Sequence, residues 1–222
     1  MNFGLGEWCS LSCAIFWAWA TISFRMAGEK LSPFHLNLFK NLCLFLLMIP
    51  TAFLVEGWGW NEIRAEDQFY LVVSGLIGIC IADFLYFAAL NRLGAGLNSI
   101  LACLYSPFVI LFSYLMLGER LAMAQAIGAF IIIAGTFVAS SPGKKSERPR
   151  ELGMGLALGV AAMITMALGI VIAIPCLHSD TLFWAIELRL LGGLGCLLRC
   201  PLSRRVPRCR PRECRHSSFC WR

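Results

Sequence analysis

The sequence predicts an all-α, polytopic transmembrane helix bundle, a five-helix repeat followed by an incomplete inverted second repeat, with about seven helices in total. Three observations predict it. Of 222 residues, 59% are hydrophobic and only 14% charged, with a mean hydropathy of +0.72, far from the half-apolar, quarter-charged balance of a soluble domain. Seven apolar stretches reach or approach the roughly 20 helical residues that cross a hydrocarbon core about 30 Å thick. The beginning and the later part of the chain also share a pattern at an offset of about 148 residues.

The stretches are Trp8–Phe24, Phe34–Leu54, Phe69–Leu90, Leu97–Leu117, Leu121–Ala139, Leu152–Pro175 and Thr181–Leu198. Lipid offers no water to exposed backbone, so each must be helical. The first is read as a retained helix rather than a signal peptide, because Met1–Glu7 carries no Lys or Arg and no small-residue cleavage site precedes the second. Gly28–Pro33, Glu56–Asp67, Leu93–Gly96 and Gly118–Arg120 carry Gly, Pro or charge where helices should end. Such short turns force antiparallel neighbours. Residues 140–151 (SSPGKKSERPRE within that span) are polar and carry Pro142 and Pro149, a linker between a first unit, 1–139, and a second, 152–198.

Leu5-Gly6 opens the first helix as Leu152-Gly153 opens the sixth, and Phe39-Lys40 lies in the second helix as Leu188-Arg189 lies in the seventh. A unit of five helices is odd, so two consecutive units cross the membrane in opposite senses, the inverted repeat of many secondary transporters. A second unit of equal length would finish near about residue 287, which leaves about 65 residues without a counterpart. The chain is thus expected to be a ten-helix design cut short.

Net charge is +6, a value that in a soluble protein would raise nucleic acid as a partner, but it is unevenly placed. Residues 196–222 hold eight Arg and one Glu, so the other 195 carry eleven basic and twelve acidic residues. No nucleic-acid partner is expected. The same 27 residues hold five of the eleven Cys. The favoured reading of 199–222 is a frameshifted stretch outside the fold. The alternatives are a polybasic segment at anionic headgroups and a metal site from Cys209, Cys214, His216 and Cys220, whose spacing suits zinc poorly. The remaining cysteines read as small packed hydrophobes, and neither a metal nor a cofactor is expected.

Ionisable groups within apolar helices are the candidate functional residues, since each needs a partner or a wet cavity. Lys40 shares one side of the second helix with Asn37 and Asn41, a polar stripe expected to face the interior. It either snorkels, pairs structurally or meets a solute. Asp83 lies deeper, with Tyr86 about one turn on; it stays ionised only if a cation or donors meet it. It reads as a proton carrier or cation contact with Lys40 as its partner, or as a buried structural pair. Glu187 and Arg189, two apart, do not face each other, and Arg189 occupies the repeat position of Lys40. Trp17 and Trp19 cannot both line a cavity. Tyr105 sits beside Pro107, which is expected to kink the fourth helix. The pairs Gly75/Gly78, Gly128/Gly135 and Gly155/Gly159 would allow close helix contact. No phosphate-binding glycine loop, His-Glu-x-x-His box or serine elbow is present, so no enzyme is expected.

The run Gly118-Glu119-Arg120-Leu121 with Gln125-Ala126-Ile127-Gly128-Ala129 and Ala134-Gly135 resembles the fourth-to-fifth-helix signature of the EamA domain, in the drug/metabolite transporter superfamily. Phe84, Tyr86, Phe87, Ala89 and Leu90, then Arg92-Leu93-Gly94-Ala95 and Tyr105-Ser106-Pro107, resemble its third and fourth helices. The resemblance implies ten helices in two inverted five-helix repeats, with helices eight to ten absent here. It also implies a transporter, an exporter or exchanger of a small organic metabolite working by alternating access between repeats. The alternative is a non-transporting truncated fragment, a half-transporter or a membrane-packing protein. The expected partners are the lipid bilayer, a small-molecule solute, protons as coupling ion and a second copy in a homodimer; the expected location is multi-pass in the inner membrane. Lys and Arg counts place the linker in the cytoplasm and the N-terminus outside, whereas the resemblance implies both termini cytoplasmic.

Overall fold

The structure, a computed structural model, describes residues 4–59, 63–140, 149–177 and 181–199. The expectations for the central linker residues 141–148 and for 200–222, including the basic tail and its Cys/His group, lie outside the described residues. Seven helices and no strand occur among the described residues. The first two are α1 (Leu5–Gly28) and α2 (Pro33–Val55). Ser32 caps α2 through its side chain, which accepts from the His35 N–H, and Pro33 follows at the first helical position, where its missing N–H costs nothing.

Next comes a long helical run, Ala65–Gly75, a π-helical turn Leu76–Ile81 and Ala82–Ala102. It is one run by hydrogen bonding only, because Gly94 sits at φ 80°, ψ 170° and breaks the axis. A residue with a Cβ would be strained there. We therefore describe α3 as 65–93 and α4 as 95–117, the latter including Tyr105–Phe112 and a second π-helical turn, Ser113–Leu117. The expected Pro107 kink takes a different form. The chain turns at Cys103 and Leu104 and a new helical segment starts at Tyr105, so Pro107 falls in its first turn, where no helical N–H is missed. Gly118, left-handed at φ 67°, ends α4. α5 is Met123–Ser140, α6 is Pro149–Ala173 with a closing 3-10 turn Ile174–Cys176, and α7 is Leu182–Arg199.

Among the described residues, four helical stretches are long and apolar enough to cross a membrane: Pro33–Val55, Ala65–Ala102, Met123–Ser140 and Glu151–Cys176, with Tyr105–Leu117 a shorter apolar helix. α1 and α7 are long enough but more polar, with Glu7 and Arg25 in the one and Glu187, Arg189 and Arg199 in the other. The protein is an integral membrane protein in contact with the bilayer. α1 and α5 lie at the rim and turn large apolar side chains outward, among them Phe16, Trp19, Phe130 and Phe137, a surface suited to lipid and costly in water.

The centre belongs to α2, α3, α6 and α7. One apolar cluster joins Leu36, Phe87, Leu90, Leu101 and Met163; the other joins Ala52, Leu71, Ala173, Trp184 and Leu188. Backbones approach closely where α3 meets α6 and α7. A Cβ at Gly75 would strike the Arg189 carbonyl, and one at Gly169 would lie 2.7 Å from the Gly78 Cα. Gly155 and Gly159 pack on Leu93 and Leu101, but a Cβ at Gly128 or Gly135 would meet nothing within 4 Å. Gly128 and Gly135 are therefore not close-contact glycines here, because α5 lies at the rim.

Two polar ties hold helix ends. Arg25 donates from Nη1 to the Asn91 carbonyl at 2.9 Å, joining α1 to the end of α3 and satisfying a carbonyl that the Gly94 break would leave open. The Glu56 carboxylate, just after α2, accepts from the N–H groups of Phe183 (2.8 Å) and Trp184 (3.3 Å) and so caps α7. Glu56→Ala is expected to destabilise the fold by about 1–2 kcal/mol. Unfolding of the detergent-purified chain measures it, and an unchanged midpoint would show that the cap contributes nothing.

Candidate functional site

The polar stripe of α2 meets α3 at its π-helical turn. In that turn the Ala82 N–H reaches back five residues to the Ile77 carbonyl, which widens the helix and turns carbonyls off its axis. Asn37 uses them: its Nδ2 donates to the carbonyls of Ile79 at 3.1 Å and Cys80 at 3.3 Å. Asn41, one turn on, donates to the Asn37 carbonyl at 3.0 Å and to the Asn37 Oδ1, and lies 3.4 Å from Asp83 Oδ2. Both amides are buried, at 0% and 1% exposure, and their interlocking bonds fix the rotation of α2 against α3.

That rotation brings Lys40 to Asp83. The Lys40 Nζ lies 2.5 Å from Asp83 Oδ2, the one salt bridge among the described residues. The ammonium also sits 5.7 Å from the centre of the Phe87 ring, close enough for a cation–π attraction. Asp83 is buried at 7% exposure, so the carboxylate depends on Lys40 and Asn41 for its charge to be tolerated. The pair borders a cavity of about 30 Å³ between α1, α2, α3 and α6, whose wall includes Trp17, Thr21, Tyr86 and Met166, room for a single water. The Tyr86 hydroxyl is buried without a hydrogen bond although Thr21 and Asn98 are its polar neighbours. Trp17 touches this wall with one edge, 6.4 Å from the Tyr86 ring by centroids, and is otherwise half exposed.

Six of the eight residues singled out in the sequence thus come together: Lys40, Asp83, Asn37, Asn41, Tyr86 and Trp17. The other two, Tyr105 of α4 and Arg189 of α7, lie outside that cluster, and the Arg189 Nη2 lies against Gly78. Arg189 is not among the residues that border the cavity beside Lys40 and Asp83. The sequence reading overlooked Thr21, Phe87 and Met166. Thr21 stands four residues after Trp17 and Phe87 four after Asp83, so helical spacing was the available signal for two of them; Met166 had none, since nothing in sequence ties α6 to α2.

A family model described as the EamA-like transporter family matches residues 4–141. Among curated proteins, an uncharacterized transporter of Archaeoglobus fulgidus is 26% identical over 161 residues, covering 72% of this chain and 55% of the relative. The uncharacterized transporter YoaV of Bacillus subtilis is 22% identical over 60% of this chain and 46% of its own. An uncharacterized transporter of Clostridium kluyveri is 23% identical over 73% and 54%. The chain spans about half the length of the curated relatives it matches. No solved structure matches it.

Proposed function

Since the chain belongs to the EamA-like transporter family, we propose that it moves a small organic metabolite across the inner membrane by alternating access between helical repeats, as an exporter or exchanger, with protons as the coupling ion. The observation that supports this reading is the Lys40–Asp83 pair at a small cavity bounded by α1, α2 and α3 on one side and α6 on the other. A proton on Asp83 removes the charge that holds Lys40, while Asn37 keeps α2 on the π-helical turn of α3. Protonation thereby releases the Lys40 ammonium beside the cavity without parting the two helices, a change of charge and side-chain position of the kind that coupling requires.

Uptake of a labelled metabolite mixture into proteoliposomes, read by mass spectrometry, tests the proposal. The wild-type chain is expected to accumulate at least one compound above empty vesicles, and Asp83→Asn to lose at least tenfold in rate at every pH. Unchanged rate and pH dependence in Asp83→Asn would remove the proton-carrier role.

A second reading rests on the half-length match: the chain acts as a half-transporter in a homodimer, or packs in the membrane without transporting. Light scattering of the detergent-purified chain separates the two, since the half-transporter must be a dimer.

A further inference from the structure

A second buried carboxylate lies outside that site. Glu187 is 1% exposed, and neither of its oxygens has a hydrogen-bond partner among the described residues. It borders a cavity of about 340 Å³ between α2 and α7, at the small end of the range of small-molecule pockets. The wall is built by helical spacing. Phe45, Ile49 and Phe53 recur every four residues on one face of α2, and Trp184, Glu187 and Leu191 at three and four on the facing side of α7. Trp58 closes the end.

The three aromatic rings there are mutually packed. Centroids of Phe53 and Trp184 lie 5.1 Å apart, of Phe53 and Trp58 5.4 Å, and of Trp58 and Trp184 5.6 Å. Trp184 is held in place by its own bonds, Nε1 to the Gly57 carbonyl at 2.9 Å and its backbone N–H to Glu56. Of the neighbouring cations, Lys40 is paired with Asp83, and Arg189, two residues on, turns its Nη2 toward Gly78 of α3 and does not line this cleft, its buried Nε having no hydrogen-bond partner among the described residues. A carboxylate that deep without a counter-charge is costly, and ring faces beside it attract positive charge.

From these residues we infer that the cleft between α2 and α7 is a binding site for a monovalent organic cation with a small apolar body, its charge at Glu187 and its body against Phe53, Trp58 and Trp184. A neutral ligand of the same shape leaves the carboxylate unmatched, and an anion is repelled by it. The cation is either a free solute or the choline headgroup of a lipid.

Calorimetric titration of the purified 222-residue chain in phosphatidylglycerol nanodiscs tests this, with benzyltrimethylammonium as the probe and neopentylbenzene, its uncharged carbon isostere, as the control. The cation is expected to bind wild type at least tenfold more tightly than the isostere. Glu187→Gln should weaken the cation at least tenfold and leave the isostere unchanged. Trp58→Ala should weaken the cation about fivefold; Trp58 is 62% exposed, so this variant leaves the packed core intact. Equal binding of cation and isostere by wild type, or of the cation by wild type and Glu187→Gln, would overturn the assignment. Repeating the titration in phosphatidylcholine discs separates the two sources, because only a headgroup ligand competes with the probe; either result upholds the site. The readout is binding rather than transport, so it stands or falls separately from the Lys40–Asp83 mechanism.

Discussion

Lys40→Met is expected to destabilise the bundle by about 3 kcal/mol, and adding Asp83→Asn to recover most of that loss. The single substitution leaves a carboxylate at 7% exposure facing Phe87 and Tyr86 with only Asn41 as a donor. An uncompensated buried charge costs more than the pair itself contributes, so the two changes should be strongly non-additive. Because Asn37 and Asn41 lock α2 to the π-helical turn without help from Lys40, the double variant should keep its helix packing. Unfolding of the four members of the cycle in mixed detergent measures the coupling. Additive losses would mean that the ion pair makes no energetic contribution.

Gly75→Leu should have the largest effect of any single change, about 3 kcal/mol or more, with failure to accumulate in the membrane as its visible form. At that position even a methyl group would overlap the Arg189 carbonyl, and backbone cannot step aside as a side-chain tip can. α7 would have to move off α3, and the Val72 contact with Gly192 and the Ile79 contact with Gly193 would go with it. Gly128→Leu, on the outward α5, is the matched comparison and should be tolerated because nothing lies within 4 Å. Fluorescence-detected size exclusion compares the two; equal profiles would contradict the account of the α3–α7 contact.

Much of the helical layout was legible because lipid imposes it. Apolar length marked the seven helices, and glycine and proline marked their ends, so Ser32-Pro33, Gly94 and Gly118 fall where the chain turns. The seventh stretch, expected over Thr181–Leu198, is helical over Leu182–Arg199 despite its arginine and cysteine content, and it sets the Cys196 thiol 3.1 Å from that of Cys80. The polar stripe of α2 pointed inward as its spacing implied. What spacing could not supply was the partner across the bundle: the π-helical turn that receives Asn37, the Glu56 cap on α7, and the aromatic group around Glu187 all join residues more than 40 positions apart. Glu187 and Arg189 show the limit well. Two residues apart, they were seen not to face each other, yet only the packing of α2 on one side and α3 on the other tells where each one goes.

The central claim, that Asp83 and Lys40 form the coupling element of a transporter, is tested most directly by proton flux. Proteoliposomes containing the chain and a trapped pH-sensitive dye are given an imposed pH gradient and then the metabolite mixture. The wild-type chain is predicted to dissipate the gradient only when the mixture is added, and Asp83→Asn to hold it as empty vesicles do. Metabolite-driven dissipation at the same rate in both chains, or none in either, would contradict the account.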